Sequence, residues 1–289
     1  MRLCVFEATD GPRPGLVLGD EIVDFSTLTD RSYWPLDILS AGPAGIEAIE
    51  KAARSSPRVP LKSARLKAPL QRPGKILGIG LNYRDHAKET GREPPTTQMW
   101  FNKQSSALHG PFDPILMPAV STALDYEVEL VVVIGKYGRH VPRERAHEVI
   151  AGYMTGCDYS VRDWQRATPT MIMGKGFDTH APLGPWITTT EEAGDVSNMS
   201  LKCWVNDELR QDGNTGEMIF DVPAQIEHLT KAFALEPGDL IFTGTPAGVG
   251  AAFTPPKFLK VGDRVRVEVE RLGAIEAAII QETAQTRIG

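Results

Sequence analysis

In the stretch DYEVELVVVIG, from Asp125 to Gly135, two glutamates stand two residues apart in an otherwise apolar run. The two-residue period of a strand puts Tyr126, Val128, Leu130, Val132 and Ile134 on one face and both Glu127 and Glu129 on the other. At a rise of roughly 3.3 Å per residue their Cα atoms lie about 6.6 Å apart, within reach of one shared cation. Burying such a pair is costly unless a compensating charge is supplied. The same pattern also fits an edge strand showing two solvated glutamates to water. Asp158, at the end of the run AGYMTGCDYS, offers a third oxygen, although an aspartate in that place also serves as a turn or capping residue. Oxygen ligands without a His or Cys cluster favour magnesium or manganese over zinc.

Three more stretches carry chemistry. In NYRDHAKE, His86 and Glu89 are three residues apart, so on one helical turn the carboxylate can hold the imidazole in a fixed tautomer, and such a dyad takes a proton from water near neutral pH. An exposed surface pair has the same spacing. In MIMGKGFDTH, Lys175 stands between two glycines and can offer a positive charge to a developing oxyanion, or simply face solvent. The glycine-rich TGTPAGVG from Thr243 can form a nest of backbone N–H groups for a carboxylate, with the Thr245 hydroxyl as an added donor, or a tight structural turn. The dinucleotide fingerprint is excluded, because GIGLNY lacks the third glycine and no helical pattern follows directly. The remaining histidines, at 109, 140, 147, 180 and 228, have no comparable neighbours and read as structural or solvated.

The elements that must position these residues are mostly strands. RLCVFE, PGLVLG and EIVDFS read as three short strands, the last two joined by a Gly19-Asp20 turn. A helix is predicted from Pro43 to about Arg54 with Ile46, Ile49 and Ala53 on one stripe. The proline-rich, aperiodic segment 54–74 marks a domain boundary, giving a small β-rich N-terminal domain (residues 1–70) and a larger catalytic domain (71–289). KILGIG reads as a strand, and the composition of DHAKETGREPPTTQMW suits a mobile segment over a cleft, although a static surface loop is the more frequent outcome for such a stretch. A short helix follows Pro142, and another runs from about Pro223 to Phe233, capped by Asp221, with Ile226, Leu229 and Phe233 inward. LIFTG, RVRVEVE and AIEAAII read as further strands, so the expected fold class is α+β with a large mixed sheet.

Composition narrows the setting. The 42% apolar and 24% charged shares are those of an ordinary globular protein, and no apolar run reaches the roughly 18 residues of a membrane span. The net charge of −6, with no basic block, argues against a nucleic-acid partner. Cys4, Cys157 and Cys203 are too few and scattered for a disulfide framework or a zinc site. An acidic residue precedes any signal-peptide core, so a cytoplasmic location is expected.

Taken in order, GIGLNYRDHAKE, FNKQSSA, DYEVELVVVIG, GYMTGCDYSVRDWQ, GKGFDTHAPLGPW, NDELRQDGNTGEMIF and FTGTPAGVG resemble the signature blocks of the fumarylacetoacetate hydrolase family over about residues 72 to 280. The resemblance implies a mixed β-sandwich roll behind a small N-terminal domain, commonly a homodimer. It makes Glu127, Glu129 and Asp158 the magnesium or manganese ligands and His86 with Glu89 the dyad that activates water. Lys175 and Gln165 become the groups that hold the transition state, and Thr245 the binder of the substrate carboxylate. Asn82, Arg84 and Lys103 join as pocket candidates. The implied activity is hydrolysis of a C–C bond in an acylpyruvate, with a small 2-oxo acid as substrate. Decarboxylation of oxaloacetate and isomerisation of a hydroxymuconate-type diacid use related chemistry. A small-acid-binding protein on the same fold is the alternative from another class.

Overall fold

The computed structural model describes residues 1–29, 32–286 and 288. The strand Val128–Ile134 is its centre: all seven residues are buried, with Ile150–Cys157 antiparallel on one side and Leu240–Phe242 antiparallel on the other. Hydrogen-bonded on both edges, it cannot be the solvated edge strand that the sequence also allowed. From this centre the large sheet runs through Ile76–Gly80, parallel to Leu240–Phe242, to Met99–Lys103 at one edge. In the other direction it runs through Ala181–Thr189 to Arg2–Ala8, Gly11–Leu18, Glu21–Asp24 and Arg58–Pro60.

The alternation read from the sequence decides which core each residue enters. Val128, Leu130, Val132 and Ile134 pack with Leu201, Cys203, Val265, Val267 and Ile275 of a second, five-stranded sheet. Val131 and Val133 face the opposite way, into a cluster with Leu3, Leu16, Val23, Phe25, Ile38 and Ile49 of the N-terminal segment. The central strand is thus sandwiched between two cores, and it must be apolar on both faces except where Glu127 and Glu129 interrupt it. Mostly strands with few helices, this is the expected α+β class, with mixed sheets.

The three expected N-terminal strands form an antiparallel meander and join the large sheet where Arg2 and Leu3 pair with Thr188 and Ile187. The helix expected after Pro43 spans Pro43–Ala52, and a short helix not anticipated, Pro35–Ser40, precedes it. The segment after Pro142 is a 3₁₀ turn, Arg143–Val149, rather than an α-helix. Asp221 caps Val222–Ala232 by accepting from the Ala224 N–H at 3.0 Å, and Ile226 and Leu229 are buried as expected. Phe233 is a correction. It lies one residue past the helix with φ −147°, which swings its ring off the apolar stripe, and it is 37% exposed.

Candidate active site

Strand register assembles the acidic trio. Val128 pairs with Cys157 and Glu129 with Gly156, so the residues just beyond, Glu127 and Asp158, meet across the ladder, where Asp158 N donates to Glu127 O at 2.8 Å. One carboxylate oxygen from each of Glu127, Glu129 and Asp158 lies within 4.8 Å of the others, and all three residues are buried. Cations surround two of the three. Lys175 Nζ is 2.5 Å from Glu127 Oε2 and 2.7 Å from Asp158 Oδ2. Lys103 Nζ sits 2.5 Å from Asp158 Oδ1, and Arg162 Nη1 sits 2.8 Å from Glu127 Oε1.

Glu129 is different. Its recorded donor is the Gly244 N–H at 2.7 Å, and among the described residues no side-chain cation pairs with it. Burial, reinforced by the neighbouring Asp158 and Glu127 carboxylates, pushes its carboxyl well above the usual range. Burial also opposes ionisation of Glu127, but there the Lys175 ammonium and Arg162 guanidinium prevail and hold the carboxyl well below that range. Three buried hard-oxygen donors with one of them uncompensated suit a hard dication such as magnesium or manganese.

A linkage follows from this asymmetry. Were Glu129 to ligate an ion it would have to give up its proton, so binding would release a proton and strengthen as pH rises, by up to about tenfold per unit. Titration calorimetry in two buffers of different ionisation enthalpy is expected to report net proton release on ion binding. Heats that do not depend on the buffer would contradict it.

The dyad forms as its spacing suggests. His86 and Glu89 lie on the helix Arg84–Glu89, with His86 Nδ1 2.6 Å from Glu89 Oε1. An acceptor-only carboxylate there places the ring proton on Nδ1 and leaves the Nε2 lone pair for proton abstraction. The glycine-rich loop holds this helix from behind. Its backbone N–H groups do form a nest, but the carboxylates they bind are the protein's own: Gly244 N donates to Glu129, Ala247 N to Asp85 and Gly248 N to Glu89. Gly250 N and Ala251 N donate to Asp125. Gly248 is required here, since its φ is +104° and a Cβ would lie 1.9 Å from Arg210 O.

A cavity of about 850 Å³ opens over these groups, lined by His86, Glu89, Glu127, Glu129, Gln165, Lys175 and Thr245, with Ile79, Met99, Phe101 and Met171 as apolar wall. A larger groove of about 1060 Å³, lined by Gln104, Trp164, Met173 and residues 280–286, contains none of the expected site residues. The Gln165 backbone packs directly on Gly174, where a Cβ would fall 2.2 Å from Gln165 N. The Thr245 hydroxyl already donates to Val128 O at 2.9 Å and accepts from Gln211 Nε2 at 2.8 Å.

The three added pocket candidates lie off the cavity wall. Asn82 is fully buried and bonds Phe220 O, Thr243 O and Phe220 N, which ties strand ends together. Arg84 is exposed and reaches Met218 O at 3.3 Å. Lys103 lies behind Asp158, with Tyr159 O as its second partner. Arg162 was missed in the sequence, although its spacing of three from Gln165 put both on one helical face. Buried and on the cavity wall, it joins Asp125 at 2.8 Å, Glu127 at 2.8 Å and Gln165 at 3.0 Å.

The sequence pattern of the fumarylacetoacetate (FAA) hydrolase C-terminal family matches residues 75–280. The chain belongs to the fumarylacetoacetate hydrolase family. It is 38% identical to the mitochondrial oxaloacetate tautomerase fahd2 of Xenopus laevis, over 97% of this chain and 90% of that one. Among solved structures, maleylpyruvate hydrolase from Sphingobium sp. SYK-6, crystallised with manganese(II) and pyruvate, superposes with a TM-score of 0.82 at 35% identity. That match covers 98% of this chain and 100% of the other. Fumarylacetoacetate hydrolase from Exiguobacterium antarcticum gives 0.88 at 32% identity, with the same coverage. The chain is therefore an enzyme of this family, and its buried acidic trio suits a divalent ion.

Proposed function

We propose that the chain is a divalent-metal-dependent hydrolase that cleaves the C–C bond of an acylpyruvate, a 2-oxo acid with a second carbonyl at C4. The observation that carries this reading is the His86–Glu89 pair, Nδ1 to Oε1 at 2.6 Å, on the same cavity wall as Glu127, Glu129 and Lys175, an arrangement suited to activating water. Glu127, Glu129 and Asp158 would hold the ion, which when bound supplies Lewis acidity to the carbonyl oxygen of the 2-oxo acid. His86 Nε2 takes a proton from water, and the hydroxide oxygen adds to C4. Lys175 keeps its positive charge close by, because its carboxylate partners outweigh the burial that opposes ionisation and raise its pKa. The Gln165 amide supplies a neutral donor. The C3–C4 bond then breaks with its electron pair passing to the pyruvate fragment, and the proton held by His86 returns to C3, giving pyruvate and a carboxylic acid.

A second reading rests on the 38% identity to oxaloacetate tautomerases along nearly the whole chain. Keto–enol interconversion of oxaloacetate needs only proton transfer at C3, which the same dyad can supply. Magnesium- or manganese-dependent release of pyruvate from acetylpyruvate and fumarylpyruvate is the expected result. Loss of the enol absorbance of oxaloacetate, with no pyruvate from either acylpyruvate, would replace hydrolysis by tautomerisation.

A further inference from the structure

We infer that Arg92 and Arg166 form a second anion subsite at the outer part of the cavity, which selects substrates with a carboxylate at the end remote from the 2-oxo acid. The inference rests on the reading above that the inner end takes a 2-oxo acid head. Both arginines line the cavity and both are exposed. They stand just past the two groups the chemistry uses. Arg92 follows the dyad helix and is anchored by its N–H to Ala87 O at 3.0 Å, and Arg166 follows Gln165 in the helix Arg162–Ala167.

The charge pattern of the wall separates these two from the other cations. Lys175 and Arg162 are consumed by Glu127, Asp158 and Asp125 in the buried interior. Arg92 and Arg166 have no carboxylate partner within ion-pair distance among the described residues. The acidic wall residue nearest Arg92 in the chain, Glu89, already accepts from His86 and from Gly248 N. The outer wall therefore carries two uncommitted guanidinium groups, whose forked donors match a carboxylate. The apolar wall of Ile79, Met99, Phe101 and Met171 offers no hydrogen-bond donor for such a group. An extended dicarboxylic 2-oxo acid would present one anionic end to the ion site and the other to these arginines. A mono-acid of the same length would leave the outer pair solvated.

The test uses two six-carbon ligands with the same head, 2-oxohexanedioate and 2-oxohexanoate, titrated calorimetrically into the magnesium-loaded protein. The diacid is expected to bind about tenfold tighter or more. The R92Q/R166Q double variant is expected to lose that preference while its affinity for 2-oxohexanoate stays within about threefold of the parent. Equal affinities in the parent, a preference that survives in the double variant, or equal weakening of both acids would each overturn the subsite. If only the catalytic reading fails, no acylpyruvate is cleaved and the calorimetric preference remains, so the two failures are told apart.

Discussion

Glu129→Gln is expected to leave the metal-free protein folded while lowering turnover by about a thousandfold or more, the scale of losing a Lewis acid worth several kcal/mol. Burial and the two acidic neighbours push the Glu129 carboxyl well above its usual range and so favour its neutral form, which a neutral amide of the same shape imitates. The amide oxygen can accept from Gly244 N as Glu129 Oε2 does at 2.7 Å, and the amide nitrogen donates toward carboxylates that are themselves paired with cations. A ligand is lost, but no buried charge is stranded. Glu127→Gln would be a poorer experiment. Glu127 is ionised and holds both Lys175 and Arg162, so its removal breaks a buried ion pair, which typically costs about 3–5 kcal/mol. The measurement is thermal unfolding with and without manganese alongside turnover. At a concentration of 100 times its Kd the ion adds about 2.7 kcal/mol to the parent, and E129Q is expected to gain almost nothing. An E129Q protein stabilised by manganese as fully as the parent would remove Glu129 from the ligand set.

The carboxylate trio was legible in the sequence because local periodicity and register determine it. Two glutamates two apart in a strand must share a face, and an antiparallel neighbour of matched length brings Asp158 opposite Glu127. The dyad was legible for the same reason, since a spacing of three on a helix leaves little freedom. What surrounds these groups was not. Which cation neutralises which carboxylate depends on chain segments tens of residues apart, and nothing in the periodicity of SVRDWQ says that Arg162 bridges Asp125 and Glu127. The glycine-rich loop could be read as a nest, but its occupant is set by tertiary placement, which turns its N–H groups onto Asp85, Glu89, Asp125 and Glu129. The error at Phe233 has a simpler cause. A stripe with a 3.6-residue period extrapolates past the end of a helix, whereas the backbone departs at its C-cap.

Glu89→Gln tests the dyad with little change of shape, and it is expected to lower the rate by about 10²- to 10⁴-fold. Glu89 has two jobs in the structure. Oε1 meets His86 Nδ1 at 2.6 Å, and Oε2 accepts from Gly248 N at 2.8 Å. Both neighbours are donors when His86 carries its proton on Nδ1, and a carboxylate satisfies both because it only accepts. A carboxamide cannot. If its oxygen stays on Gly248 N, its NH₂ faces Nδ1, which must then give up its proton to become an acceptor. The proton moves to Nε2, and the nitrogen that should abstract from water has no lone pair to offer. If the amide turns over, its NH₂ confronts Gly248 N–H, donor against donor, and the loop that also steadies Asp85 and Asp125 is strained. The variant should therefore bind manganese as the parent does, since the trio and its cations are untouched, yet turn over slowly with either an acylpyruvate or oxaloacetate. An E89Q enzyme within about threefold of the parent rate would show that the imidazole orientation does not matter and that His86 is not the base. A loss confined to acylpyruvates, with oxaloacetate enolisation intact, would assign the dyad to water activation and leave the proton at C3 to another group.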